Sequence, residues 1–151
     1  MPHRFTVEHT TRVPAPLPQV FEFFSDPNNL GRITPDAMGF RILQAPQRKL
    51  RAGDRIEYLV RVFRIPLRWT TRIESWNDNE SFSDLQERGP YRYWLHTHSF
   101  RAVGDETEMR DRVEYELPFG FLGRIFGLPL VHRELDRIFA FRGEQIVKIF
   151  R

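Results

Sequence analysis

The strongest constraint on how this chain can fold is the stretch from Phe40 to Leu117, where six β-rich runs follow one another with only short breaks between them. The runs are residues 40–45, 55–65, 67–76, 81–87, 91–103 and 106–117. Most of the breaks hold residues suited to tight turns: Ala52-Gly53-Asp54, Asn77-Asp78-Asn79, Gly89-Pro90 and Gly104-Asp105. A parallel pair needs a crossover of about a dozen residues or more, so breaks this short dictate antiparallel hairpins.

The flanks complete the pattern. Residues 4–13, rich in Phe, Val and Thr, read as one further strand that stops at Pro14, Pro16 and Pro18, which deny a sheet its donors. Pro18 suits the first turn of a short helix that sets Val20, Phe21 and Phe24 on one face and ends near Ser25. Asp26-Pro27 is a second start signal, with Asp as cap and Pro at the first helical position, leading through Leu30 to Ile33. Residues 129–150 read as a long helix in which Val131, Leu135, Ile138, Ile146 and Ile149 recur at helical spacing. The expected class is α+β: a curved antiparallel sheet of seven strands wrapped around a long C-terminal helix, with two short helices after the first strand.

At 151 residues the chain is expected to form a single domain over residues 1–151, with one core and one site. The hydrophobic share of 40% and charged share of 28% belong to a globular protein and exclude a collagen-like or strongly disordered chain. Fourteen phenylalanines mean either a bulky core or an aromatic-lined cavity, and composition does not separate the two. With no cysteine, disulfides, thiolate metal sites and a cysteine nucleophile are excluded. A net charge of +3, with Arg dispersed among Glu and Asp, supplies no basic tract, so no nucleic-acid partner is expected. Neither a signal-like N-terminus nor about 18 consecutive apolar residues occurs, so the expectation is a cytoplasmic protein without stable membrane insertion, monomeric or homodimeric.

Side chains two apart on a strand share a face, and this gives the most informative local reading. In the run from Tyr91, one face carries Trp94, His96, His98 and Phe100, and the other carries Tyr93, Leu95, Thr97 and Ser99. The preceding run sets Phe82, Asp84 and Gln86 on one face; the following run sets Met109, Asp111, Val113 and Tyr115 opposite a charged face of Arg110, Arg112, Glu114 and Glu116. If the three bulky faces point inward together, Asp84, Gln86, His96, His98 and Asp111 form a polar cluster inside an aromatic cavity. Buried carboxylates and imidazoles are costly unless paired, which leaves three readings. The cluster is a satisfied network that fixes register, a set that grips the polar head of an apolar ligand, or a catalytic group. In the last case His96 or His98 acts as general base with Asp84 or Asp111 setting its tautomer. A zinc or iron site built on His-x-His and two Asp is a smaller possibility; neither a metal nor another cofactor is expected.

Arg142 falls on the apolar face of the long helix. Either its stem reaches past the core to solvent, or it pairs with Asp84 or Asp111 or takes a carboxylate of the ligand. Tyr115 is expected to place its hydroxyl in the pocket beside Asp111. Trp69 alternates with the cavity-facing Thr71 and Ile73, whereas Trp76 and Tyr58 read as packing residues. Phe119, Phe121, Leu122, Ile125 and Phe126, among three glycines, read as an apolar flap that gates the pocket or packs on the sheet. In residues 55–65 the inward face is open: Tyr58, Val60 and Val62 compete with Leu59 and Phe63.

Particular residues carry a resemblance over nearly the whole chain: Val20 to Leu30 after the first strand, Trp69 to Trp76, Phe82 to Phe100, then Asp111, Val113, Tyr115 and Pro118-Phe119-Gly120. With the element order, these resemble the SRPBCC superfamily of START lipid-transfer domains, Bet v 1-like proteins, polyketide cyclases and coenzyme Q-binding proteins, within its small bacterial ligand-binding branch. The resemblance implies a helix-grip fold and a pocket for a small hydrophobic or amphipathic molecule such as a lipid, quinone or polyketide-like compound. No cyclase catalytic motif matches residue by residue. Binding or carriage of such a molecule is the leading expectation. A cyclase or dehydratase using a pocket His-Asp pair (His96, His98, Asp84) and a regulatory or assembly module with a filled cavity are the alternatives. The expected ligand-binding residues are Trp69, Thr71, Phe82, Asp84, Gln86, Trp94, His96, His98, Phe100, Met109, Asp111, Tyr115, Phe119, Ile138 and Arg142.

Overall fold

A computed structural model describes residues 4–120, Gly123, Ile125 and 127–151. Seven strands, β1 (Phe5–Val13), β2 (Arg41–Gln44), β3 (Arg55–Val62), β4 (Ile65–Asn77), β5 (Ser81–Arg88), β6 (Tyr93–Val103) and β7 (Glu106–Glu116), form one antiparallel sheet in the order β1-β7-β6-β5-β4-β3-β2. Helix α1 (Leu17–Ser25) and two 3₁₀ helices (Pro27–Ile33 and Asp36–Met38) carry the chain from β1, at one edge, to β2 at the other. Helix α2 (Leu128–Phe150) lies along the inner face of the sheet, buried through Val131, Leu135, Phe139, Gly143 and Ile146. The β4–β5 register slips twice, Glu87 of β5 being extra between the Thr70 and Thr71 pairs and Glu74 of β4 between the Ile73 and Ser75 pairs, and such bulges bend and twist a sheet.

Local chemistry accounts for most of these elements. The Asp26 side chain accepts from the Asn28 amide at 2.9 Å and caps the turn that Pro27 opens. That turn winds as a 3₁₀ helix instead of an α-helix. The Asp36–Met38 turn, closed by Gly39 in the left-handed region, has no counterpart in the sequence reading. Gly143 lets α2 approach β1 closely, since a Cβ there would stand 2.7 Å from Thr11 Oγ1.

One boundary is corrected. The β3–β4 hairpin turns at Phe63 and Arg64, with φ of 50° and 68°, and not at Pro66. Two successive positive φ values define the turn that matches strand twist, usually an Asn-Gly pair, and nothing in Phe-Arg announces it. Pro66 is tolerated inside β4 because β5 pairs only from Thr70 onward, leaving that stretch with one neighbour. The same turn decides the open register of β3. Ile56, Tyr58, Val60 and Val62 face inward, while Phe63 at the turn is half exposed.

The interior has two ends. At one, α1 drives Val20, Phe21, Phe23 and Phe24 against Phe82, Phe100, Met109 and Ile146, and this cluster is packed. At the other, Trp69, Trp94, Leu135 and Phe139 come from the sheet and α2. Among the described residues no helix fills the space between these and β3, and a cavity remains.

Candidate functional site

The cavity measures about 190 Å³ and is walled by aromatic and aliphatic side chains. Tyr58 stacks on Trp69 with ring centroids 6.0 Å apart, and Trp69 meets Trp94 edge to face at 5.3 Å. Val60 and Ile56 of β3, Phe24 of α1, and Leu135, Ile138 and Phe139 of α2 complete most of the wall. Thr34, Arg61 and Glu134 also border the space, but the polar groups that hydrogen-bond to one another are Thr71, Asp84, His98 and Arg142, with His96 beside them.

Strand register builds that polar cluster. Asp84 stands opposite His96 across β5–β6, and Asp111 stands opposite His98 across β6–β7. The hydrogen bonds run diagonally instead: His98 Nε2 to Asp84 Oδ2 at 2.9 Å, and His96 Nε2 to Asp111 Oδ1 at 2.8 Å. The two imidazoles stack at 3.6 Å, and Phe82 covers the outer face of His98 at 4.1 Å. Arg142, with 12% of its side chain accessible, reaches from α2 to place Nη2 at 3.1 Å from His98 Nδ1 and 3.7 Å from Asp111 Oδ1. The reading in which its stem carries the charge out to solvent is therefore corrected.

His98 Nε2 faces Asp84, while its Nδ1 lies between Arg142 Nη2 at 3.1 Å and Asp111 Oδ1 at 3.2 Å. His96 donates from Nε2 to Asp111, which leaves its Nδ1 lone pair 4.0 Å from the nearest carboxylate oxygen of Asp84. Burial opposes the charge on Asp84, but the His98 hydrogen bond and the nearby His96 and Arg142 more than offset it and hold the carboxyl below its usual range. Burial likewise opposes the charge on Asp111, where the Arg142 charge and the His96 hydrogen bond prevail and hold it well below. Burial, reinforced by His98, pushes His96 down to about 4 despite its bond to Asp111, so its ring is neutral at neutral pH. Burial and the Asp84 charge together raise the Tyr58 hydroxyl well above its ordinary value. Two ionised carboxylates, Asp84 and Asp111, thus face one guanidinium and the neutral His96 ring.

Asp84, His96 and His98 also bring one donor atom each within 4.8 Å of the others, the spacing a metal ion would need.

The structure brings nine of the residues singled out from sequence into the cavity wall: Trp69, Thr71, Phe82, Asp84, Trp94, His96, His98, Ile138 and Arg142. It places six elsewhere. Phe100 and Met109 pack into the α1 cluster. Asp111, 3% exposed, lies behind the histidines. Gln86 spends its amide on the backbone of Tyr91, donating at 2.7 Å and accepting at 3.2 Å, and thereby seats the Tyr91 ring against Trp69 and Trp94. The close fit of Gln86 under the loop excludes any Cβ at position 89, which is glycine. Tyr115 turns its hydroxyl to His132 Nδ1 at 3.3 Å and not toward Asp111. Phe119 is 83% exposed and outside the wall. Of the proposed flap, Phe121, Leu122 and Phe126 lie outside the described residues. Tyr58, Tyr91, Phe24 and Phe139 were missed as wall residues; the β3 register would have revealed Tyr58, but no sequence signal marks the Gln86 clamp that places Tyr91.

The sequence matches the model of a family described as polyketide cyclase / dehydrase and lipid transport over residues 13–138. A search of curated proteins returned no match to the sequence. Solved structures share the fold at low identity. The Zhui aromatase/cyclase from Streptomyces sp. R1128 is 16% identical with a TM-score of 0.78, covering 97% of this chain and 93% of that one. A START superfamily protein from Mycobacterium smegmatis is 15% identical with a TM-score of 0.74, covering 96% of both. Norcoclaurine synthase from Thalictrum flavum is 15% identical with a TM-score of 0.72, covering 98% of this chain and 87% of that one. Among the described residues no helix is long and apolar enough to cross a membrane. A seven-stranded helix-grip sheet like that of these structures and the match over residues 13–138 lead to one conclusion: the chain belongs to the polyketide cyclase / dehydrase and lipid-transport family.

Proposed function

We propose that this protein binds and carries a small, largely apolar molecule whose one polar end meets Asp84, His96, His98 and Arg142. The observation that carries this reading is a cavity wall made mainly of aromatic and aliphatic side chains that encloses one buried polar cluster, Asp84, His96, His98 and Arg142. Size narrows the ligand. A cavity of about 190 Å³ is nearer to the roughly 150 Å³ that encloses one benzene ring than to the ~300–1,000 Å³ of drug-sized sites. The enclosed part of the ligand is one or two rings.

One feature favours a second reading, a cyclase or dehydratase. His96 is oriented by Asp111 and keeps Nδ1 free of a protein partner, the arrangement of a general base. Burial works against it, because a ring that protonates near pH 4 is a weak base at neutral pH. The cavity itself counts against a third reading, a module whose interior is filled by its own side chains.

Native mass spectrometry of the gently purified protein, followed by extraction of whatever denaturation releases, tests the proposal. The expected result is a stoichiometric small apolar molecule with an oxygen-bearing end. An empty protein from several expression hosts, unable to take up ring compounds, would contradict it.

A further inference from the structure

We infer that Arg142 is the ligand's anchor and that it selects a neutral oxygen acceptor, a carbonyl or hydroxyl, over a carboxylate. This rests on the binding reading above. Arg142 carries five N–H donors, yet among the described residues its guanidinium makes one hydrogen bond, to His98 Nδ1. Its Nε is buried without a partner, the only such side-chain atom among the described residues. A guanidinium this enclosed is normally saturated, so spare donors in a cavity wall call for an acceptor supplied from outside the chain. The Phe24 ring, 5.3 Å from the guanidinium carbon, holds its position and offers no lone pair.

Charge decides which acceptor. Asp84 and Asp111 stay ionised, His96 is neutral, and Arg142 already stands between two carboxylates of its own chain, with Asp111 Oδ1 at 3.7 Å. A carboxylate arriving beside Arg142 would be a third carboxylate in a desolvated site and would face Asp84 across the same wall. A protonated amine has no lone pair for the guanidinium. A ketone, quinone or alcohol oxygen accepts from Arg142 without altering the charge, and a hydroxyl can in addition donate to the unpartnered Nδ1 of His96.

Titration calorimetry with three probes of one ring size tests this: naphthalene, 2-acetylnaphthalene and 2-naphthoate. The expected order of affinity is ketone above hydrocarbon by about tenfold or more, as for a hydrogen bond to a charged donor, with the carboxylate weaker than the ketone. In Arg142→Met the advantage of the ketone over the hydrocarbon should fall to less than about twofold while naphthalene still binds. A carboxylate that binds tightest, or a ketone advantage that survives Arg142→Met, overturns the inference and leaves the cavity reading intact. Failure of all three probes to bind overturns both. Should Arg142→Met not fold, the order of the three probes on the native protein decides alone.

Discussion

Strand β6 presents four inward side chains in a row, and the two ends of the interior treat their share of them in opposite ways. At Phe100 the row meets the phenylalanines of α1 and the space is filled; at Trp94 and His96 it faces β3 and the space is left empty. Both ends are rich in aromatic rings, so aromatic content alone does not make a cavity. What differs is the presence of a helix. Residues Val20 to Phe24 bring four large side chains to the packed end, whereas the 3₁₀ turns that follow only border the other. The polar row sits at the junction, where His98 is stacked on the packed side by Phe82 and His96 opens to the hollow one.

The largest effect is expected at the junction. Asp111→Ala leaves His96 and Arg142 without their buried carboxylate, and removing one partner of a buried ion pair costs about 3–5 kcal/mol. Denaturant unfolding would measure it, and a loss below about 1 kcal/mol would mean that the network is not what fixes this part of the sheet. Truncation then separates the two ends. Phe21→Ala, deep among Trp76, Phe82 and Phe100, should cost about 3–5 kcal/mol. Ile138→Ala borders space that is already empty, and its cost should fall well below the ~2–5 kcal/mol of a packed isoleucine. Equal losses at the two positions would erase the distinction.

Acid titration sharpens the junction further. His96 protonates near 6.5 when unfolded and near 4 when folded, so below pH 6.5 the unfolded chain binds more protons. Its contribution is complete above pH 6.5 and is lost as the pH falls toward 4, on the order of 3 kcal/mol in all. The two aspartates, depressed in the fold, act at lower pH, where the unfolded carboxylates begin to protonate. In His96→Gln the slope of stability between pH 6.5 and 4 should flatten; an unchanged slope would assign the proton elsewhere.

The fold was legible from sequence because alternation and turn residues are local signals. Six of the strand runs and the long helix lie within a few residues of their predicted ends. The exception is the β3–β4 hairpin, whose Phe63-Arg64 turn adopts a left-handed geometry that its residue types do not advertise. The polar row was legible for the same reason, since His96, His98, Asp84 and Asp111 follow the period of two. What sequence did not yield were features set by contacts between distant elements. Tyr115 and Asp111 share an inward face with Trp94 and His96, yet Tyr115 is drawn to His132 of α2 and Asp111 is covered by the imidazoles. Gln86 shares the face of Asp84, but a loop five residues on claims its amide. A strand pattern assigns a face; the neighbour packed over that face decides which of its residues reach a cavity.

The three tryptophans allow the central claim to be tested directly. Trp69 and Trp94 line the hollow end, while Trp76 packs against Phe21 and Phe82 away from it. Titration of the ¹⁵N-labelled protein with naphthalene, followed through the indole N–H resonances, should shift Trp69 and Trp94 along one saturable curve and leave Trp76 in place. Equal movement of all three, or shifts that never saturate, would contradict an internal site confined to the unfilled end.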